Sequence, residues 1–159
     1  MPTTSLTNAT TEAELLHHHL LAAWNRRDAS AMAAAFADDG SMVGFDGSQA
    51  NGRSQIEGHL TPIFADHPTA AFVSIVREVR TLADGVELVR ADAGMVRPGE
   101  RSVNPATNAV QSLVGVRTDD GWRVALFQNT PAAFHGRPKE AERLTAELQA
   151  AFDADVVVR

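Results

Sequence analysis

Two side chains have the chemistry for proton transfer near neutral pH and stand beside apolar segments. His59 precedes Leu60 in a segment of helical periodicity, and Asp46 follows Phe45 at the end of a short apolar run. An imidazole both gives and takes protons near neutral pH, and a carboxylate can act as a base. A lone histidine at such a position is also commonly structural, so the sequence leaves both roles open for His59.

Polar side chains also interrupt predicted apolar strand faces. Alternation predicts inward faces made of Val89, Ala91, Ala93 and Met95, of Val110, Ser112, Val114 and Val116, and of Trp122, Val124, Leu126 and Gln128. Ser112 and Gln128 are the polar members of these faces. Each is expected either to bind a carbonyl or hydroxyl of a ligand, or to bond a backbone group or buried water. The sequence does not separate the two readings.

A metal or organic cofactor is not expected. His17, His18 and His19 are consecutive, and successive helical residues diverge by about 100°, so three of them cannot converge on one ion. Only His19 is expected within the apolar stripe of its helix. The chain has no cysteine, which excludes thiolate metal sites and thiol nucleophiles. No Gly-x-Gly-x-x-Gly follows a strand to bind a dinucleotide.

Length and charge limit the class of protein. The 159 residues predict one globular domain, and the net charge of -6 with scattered basic residues disfavours nucleic acid and anionic membranes as partners. No apolar run approaches the roughly 20 residues of a membrane span. We therefore expect a cytoplasmic protein with a tail over residues 1–10, a domain over 11–137 and a C-terminal helix and tail over 138–159.

Helical patterns come first along the chain. Thr11 and Glu14 form a capping box that opens a helix reaching about Arg27, with Trp24 on its apolar stripe. A short helix is predicted over 31–37. Ser54 and Glu57 form a second capping box, opening a helix that carries Phe64 and is kinked at Pro62. We expect Trp24, Phe45 and Phe64 in the core or in the wall of a cavity.

Strand patterns follow, and together with the helices they define the fold class. A first strand is predicted over Ser41–Phe45 with a brief partner over 50–53, then longer strands over 72–82, 86–97, 109–117 and 122–129. The loop 98–108 is long enough to cover a cavity mouth. Pro138 opens a last helix carrying Leu144, Leu148 and Phe152, and residues 156–158 add a short extended tail. This order predicts an α+β fold in which a curved antiparallel sheet encloses an apolar hollow with the N-terminal helices.

Charged residues on the fourth strand are unusual. Arg90 and Asp92 share the face opposite Val89, so they form either a pocket acid oriented by a guanidinium or a charged pair at a dimer contact. We favour the dimer contact, because the other face of this strand is uniformly apolar. With Leu88, Val96, Ala125 and Phe127 assigned to the same outer face, a homodimer covering that apolar surface is expected.

Several short motifs occur in an order that resembles a known family. They are residues 23–28 (Ala-Trp-Asn-Arg-Arg-Asp), 36–40 (Phe-Ala-Asp-Asp-Gly), 52–56 (Gly-Arg-Ser-Gln-Ile) and 120–124 (Asp-Gly-Trp-Arg-Val). The chain thereby resembles the SnoaL-like branch of the nuclear-transport-factor-two-like superfamily. Residues 127–131 (Phe-Gln-Asn-Thr-Pro) are similar to its SgcJ/EcaC subfamily, which accompanies polyketide and enediyne pathways. The resemblance implies a cone-shaped fold, a dimer, and a hydrophobic polyketide or polyene ligand delivered by a polyketide synthase.

The sequence departs from the catalytic members of that superfamily. Where steroid isomerases place their first-strand carboxylate, this chain has Gly44, and their deeper acid falls near Val114. There is no tyrosine to act as a donor. Two hypotheses remain: cofactor-free cyclisation, dehydration or isomerisation with His59 or Asp46 carrying the proton, or a binding protein that shields a reactive intermediate without transforming it.

Overall fold

The computed structural model describes residues 10–154 and shows helices, then a sheet, then a final helix. The tail residues 1–9 and the extended segment expected over 156–158 lie outside the described residues. The elements are α1 (Glu12–Asn25), α2 (Ala29–Ala34), β1 (Phe36–Val43), β2 (Gln49–Asn51), α3 (Arg53–Asp66), β3 (Ala71–Ala83), β4 (Val86–Val96), a 3-10 turn (Pro105–Thr107), β5 (Ala109–Thr118), β6 (Gly121–Pro131) and α4 (Pro138–Asp153).

The six strands form one sheet in the order β2-β1-β6-β5-β4-β3. β1 and β6 run parallel and every other neighbouring pair is antiparallel. Gly40 lies where β1 approaches β6 most closely, because a Cβ built there would stand 2.5 Å from the carbonyl oxygen of Val124. The predicted α+β class is confirmed, with the correction that the chain adds one parallel contact to an otherwise antiparallel sheet.

The N-terminal helices pack on the concave face of the sheet. Thr11 caps α1 through a 3.1 Å hydrogen bond donated by the backbone N–H of Glu14, as expected from the capping box. Leu20 of α1 is fully buried with Val89, Leu113 and Val124, which lie on neighbouring strands. This burial, rather than helix propensity, supplies most of the stability of α1.

The convex face is partly covered by α4. Leu144 and Leu148 are buried with Val73 and Val96 of the sheet. A Cβ at Gly94 would lie 2.9 Å from Leu148, so the glycine lets the helix approach β4 closely. Helices therefore pack on both faces of the sheet, the N-terminal ones on the concave face and α4 on the convex face.

The loop 98–108 lies on this convex side, where Val103 packs in the α4 cluster and its N–H donates to Gln149. The loop was expected to cover the cavity mouth, but none of its residues lines the cavity. Its side chains are held against α4 by a further hydrogen bond from Asn108 to Thr145 of 2.8 Å.

Several element boundaries differ from those expected. β1 begins at Phe36 rather than Ser41, because Phe36 is fully buried against the core and α2 ends at Ala34. α3 begins at Arg53 after Gly52, whose φ of 88° favours glycine, and no side chain caps this helix. The second capping box, Ser54 with Glu57, is therefore wrong. In the part of the chain that the structure describes, no helix is long and apolar enough to cross a membrane.

The inward face of β5 and of half of β6 is opposite to the one expected. Ala109, Gln111 and Leu113 are buried on the concave face, whereas Val110 is 37% exposed. In β6 the register shifts so that Leu126 pairs with Val114 while Val124 pairs with Gly115. This bulge at Ala125 turns Phe127 inward and Gln128 outward. The inward face of β4, with Val89, Ala91, Ala93 and Met95, is confirmed.

Candidate functional site

A cavity of about 270 Å³ lies between the helices and the concave face. Its apolar wall is formed by Trp24, Met32, Met42, Val43, Phe45, Leu60, Ile63, Phe72, Met95 and Phe127. Its polar side chains are Asp46, Ser48, His59 and Asn129. A mostly apolar hollow with a few polar groups is typical of small-molecule sites.

The structure brings His59 and Asp46 to the same cavity. His59 is half-buried on α3, and Asp46 is exposed in the turn that joins β1 to β2. The Asp46 carboxylate accepts a 2.9 Å hydrogen bond from the N–H of Ser48, which is the main reason that its pKa is lowered. His59 also lowers the pKa of Asp46 through its charge, a smaller effect. Asp46 is therefore an ionised carboxylate at the cavity rim at neutral pH.

Aromatic side chains form one side of the wall. Trp24 and Phe45 line the cavity as expected. The indole N–H of Trp24 donates to the carbonyl oxygen of Ala70 at 2.9 Å, which satisfies its polar atom and fixes the ring. Phe64 packs edge-on against Trp24, with 5.1 Å between ring centroids. Phe64 thus supports the wall from behind rather than lining it.

Other predicted ligand-binding residues lie away from the cavity. Ser112 and Gln128 are register partners on the convex face, and Gln128 is exposed. Their expected inward placement is wrong, because β5 presents its other face and the bulge inverts β6 after Val124. Phe127, assigned to the outer face from the sequence, instead lies 4% exposed in the core and lines the cavity.

Arg90 and Asp92 do lie on the convex face, as expected, but they do not pair with each other. Arg90 bonds Glu78 at 2.9 Å, and Asp92 bonds Arg77 at 2.7 Å. Arg77 also bonds Glu147 of α4, so Asp92 belongs to a network that joins β3, β4 and α4. Neither charge reaches the cavity, so the reading of Asp92 as a pocket acid is not supported.

The sequence interpretation missed a buried polar group behind the cavity. His17 is 2% exposed and Gln111 is 0% exposed, and the His17 Nε2 and Gln111 Oε1 atoms are 2.9 Å apart. Burial lowers the pKa of His17, partly opposed by the bond to Gln111, so the ring is neutral at pH 7. Asn129 faces Gln111 across the β5–β6 ladder and lines the cavity. His19, expected in the apolar stripe, is exposed and contacts the carbonyl oxygen of Ala31.

A signal for this group exists in the sequence. Gln111 and Asn129 share the strand phases of Leu113 and Phe127, and His17 stands one helical turn before Leu21. A polar residue such as Gln111 on a strand face argues against that face being buried, unless the polar group has a buried partner. The partner, His17, is far away in the sequence, so only the three-dimensional structure shows the contact. Within residues 10–154, no group of three or more His, Asp or Glu side chains is arranged to hold a metal ion.

Comparisons with known proteins agree with this geometry. The family profile of the SnoaL-like domain matches residues 14–129, and the chain belongs to this family. The comparison with curated proteins finds no match.

Solved structures share the fold. A cystatin-like domain of unknown function from Nostoc punctiforme has a TM-score of 0.73 and 22% identity, covering 92% of this chain and 99% of its own. A nuclear-transport-factor-2-like protein of unknown function from Shewanella oneidensis has a TM-score of 0.59 and 17% identity, covering 82% and 99%. A ketosteroid isomerase-like protein from Erwinia carotovora atroseptica has a TM-score of 0.60 and 20% identity, covering 76% and 94%. At these identities the likeness establishes the fold alone.

Proposed function

We propose that this protein binds a small hydrophobic molecule and catalyses its isomerisation, dehydration or cyclisation without a cofactor. The observation that carries the proposal is the apolar cavity of about 270 Å³ with His59 and Asp46 at one side of it. Such reactions need a positioned acid or base in a water-poor site.

The two titratable groups suit different roles. A half-buried imidazole such as His59 can remove a proton from a carbon or hydroxyl of the substrate and return it elsewhere. Asp46 stays ionised because Ser48 donates to its carboxylate, so it is suited to stabilising a positive charge on His59 rather than to donating a proton. We therefore assign His59 as the proton carrier and Asp46 as its electrostatic partner.

The cavity volume limits the size of the bound group. An apolar protein cavity of about 150 Å³ accepts benzene, so about 270 Å³ accommodates roughly two fused six-membered rings or an acyl chain of similar volume. A long polyene would be enclosed only in part, with the remainder extending past the exposed Asp46 and Ser48. The protein would then act on one end of a longer chain.

A polyketide intermediate remains the substrate class that we favour. The supporting observation is the similarity of residues 127–131 to the SgcJ/EcaC subfamily, and two of these residues, Phe127 and Asn129, line the cavity. On this proposal a polyketide synthase, in a cytoplasmic pathway such as one that makes an enediyne, supplies the ligand.

Binding without catalysis is the second candidate function. It is favoured by the residue at the end of the first strand, where a catalytic carboxylate is missing. Gly44 stands where the superfamily's isomerases carry a carboxylate, and a Cβ built there meets only Asp46 and Ser48 atoms at 3.6 and 3.7 Å. The position could hold a side chain, yet it presents none. Of the cavity-lining side chains, Asp46 is the carboxylate, and it is exposed.

The test is an incubation of purified protein with the product of a polyketide synthase, followed by product analysis. We expect several turnovers per protein molecule in the wild type and their loss in the double variant His59→Ala/Asp46→Asn. The matched control is His67→Ala/Asp66→Asn, which changes the same residue types at exposed positions away from the cavity. Identical product profiles for wild type and the cavity variant would refute catalysis by these groups, and an effect that saturates at one ligand per protein would favour the binding protein.

We also propose a homodimer formed through the part of the convex face that α4 leaves open. Leu88, Val114 and Leu126 are half-buried register partners that form one apolar row on this face. A twofold-related copy would remove this contiguous apolar surface from water. Phe127 takes no part in this contact, because it faces the cavity.

A further inference from the structure

At the β5–β6 side of the cavity, two buried polar atoms lack a hydrogen-bond partner among the described residues. They are Nε2 of Gln111, which is a donor, and Oδ1 of Asn129, which is an acceptor. Leaving a buried polar atom unpaired destabilises a fold, so a structure that keeps two such atoms together on one surface calls for an explanation.

The two residues are placed to share one partner. Gln111 and Asn129 are directly opposite in the β5–β6 register and project from the same concave face. Side chains so placed have Cβ atoms about 4.5–5.5 Å apart. The donor and the acceptor are nevertheless not bonded to each other. A group that lies between them, accepting one hydrogen bond and donating another, would satisfy both atoms.

The other end of Gln111 is fixed. Its Oε1 lies 2.9 Å from Nε2 of His17, which donates the hydrogen bond in the tautomer that matches this amide orientation. His17 is in turn enclosed by the core, with its ring centroid 6.3 Å from that of Phe127. The free N–H of Gln111 is thereby held in one orientation. Such pre-organisation favours recognition, because little side-chain entropy is lost when the ligand binds.

We propose that the pair Gln111 and Asn129 is a specificity site that recognises a hydroxyl group at one end of the ligand. A hydroxyl can accept from Gln111 Nε2 and donate to Asn129 Oδ1 at the same time. A carbonyl oxygen can only accept, which leaves Asn129 unpaired, and an alkyl group leaves both unpaired. The ligand is therefore an alcohol, phenol or enol with a compact apolar body. This inference rests on the proposed function, since it assigns one end of the same cavity.

The position of the site relative to the titratable pair adds a constraint. In the parallel β1–β6 register Val43 pairs with Gln128. Gly44 and Asn129 follow these two residues, so the inferred site and the turn that carries Asp46 lie near each other along the cavity wall. A hydroxyl held by Gln111 and Asn129 would fix the orientation of the ligand relative to His59, which lines the same cavity. Gln111 and Asn129 are in this sense binding residues, and proton transfer is left to His59.

A pair of probes that differ only at the recognised group tests the proposal. 2-Naphthol and 2-methylnaphthalene have the same fused rings, of the size that the cavity volume allows, and differ in a hydroxyl against a methyl group. We expect 2-naphthol to bind wild type at least about tenfold more tightly, because only its hydroxyl gives the two buried polar atoms a partner. A water that already satisfies these atoms and stays in place would make the two probes bind alike.

Two variants assign the preference to the site. Asn129→Leu replaces the amide by an apolar group of nearly equal size, and we expect the preference for 2-naphthol to fall to about twofold or less. Gln128→Leu is the matched control, since it changes the neighbouring residue on the exposed convex face and should keep the preference. In wild type, the side-chain NH₂ resonances of Gln111 should shift with 2-naphthol and much less with 2-methylnaphthalene, a readout that does not depend on the variants folding.

The outcomes separate the two proposals. Equal affinity of wild type for both probes, a preference that survives Asn129→Leu, or Gln111 resonances that respond equally to both probes would overturn the hydroxyl site while leaving the cavity as a binding site. Failure of both probes to bind at all would overturn the proposed function, and with it the inference that rests on it. Tighter binding of 2-naphthol, lost in Asn129→Leu and kept in Gln128→Leu, would support both.

Discussion

Replacing His17 should change how the stability of the fold depends on pH. His17 is 2% exposed, and its hydrogen bond to Gln111 is buried. The substitution His17→Met fills the space with a flexible apolar side chain but leaves Gln111 without this partner. At pH 8, where the histidine is neutral in both folded and unfolded chains, the variant should be less stable by about 1–3 kcal/mol.

Acidification should reduce the difference in stability between wild type and His17→Met. Burial lowers the pKa of His17 in the folded protein below its ordinary value of 6.5. Below pH 6.5 His17 is therefore protonated in the unfolded chain while it stays neutral in the folded chain. The stability supplied by the neutral ring is complete above pH 6.5 and is lost as the pH falls towards the folded pKa. Wild type should therefore lose up to about 1.4 kcal/mol for each pH unit in this window, and His17→Met should not show that loss.

The assay is urea unfolding followed by tryptophan fluorescence at several values between pH 8 and pH 5.5. The matched control is His18→Met, the same substitution at the adjacent, exposed residue of the same helix. It should lose stability on acidification as wild type does, with only a small difference, because the charge of His18 is the smallest of the causes that lower the pKa of His17. Parallel curves for wild type and His17→Met would refute the reasoning, because they would mean that His17 titrates alike in the folded and unfolded chains.

Two further predictions concern the sheet. Gly40→Ala should lower the free energy of unfolding by about 1–3 kcal/mol, because its Cβ would stand 2.5 Å from the backbone oxygen of Val124. Gly58→Ala lies within α3, where a Cβ would meet no atom within 4 Å beyond its chain neighbours and the backbone of its own helix, so it should raise the free energy of unfolding by about 0.5–1 kcal/mol. Urea unfolding measures both, and equal effects would contradict the close approach of β1 and β6. For the proposed homodimer, Val114→Glu should give a monomer by light scattering, while Leu15→Glu, at a 51% exposed site on α1, should leave the mass unchanged. A monomeric wild type at micromolar concentration would rule out the dimer.

Local patterns were sufficient for the elements and for part of the cavity. The Thr11 cap, the burial of Leu20 on α1 and the alternation along β4 follow from hydrogen bonding and periodicity within a few residues, so their structural outcome agrees with the pattern. The same holds for Trp24, Phe45, His59 and Asp46, because the ends of α1, β1 and α3 meet at one side of the fold. The sequence made these residues candidates for the cavity, but it left the core open for Trp24 and Phe45 and a structural role open for His59.

The tertiary structure alone decided which face of β5 and β6 looks inward. Both phases of β5 carry apolar side chains, and the inward phase contains Gln111, whose burial is tolerable only because His17 of α1 reaches it. In β6 the bulge at Ala125 exchanges the faces of Phe127 and Gln128. A strand repeats every two residues, so one extra residue reverses every later side chain, and nothing in the local sequence marks where it is inserted. The polar site at Gln111 and Asn129 therefore exists only through long-range pairing.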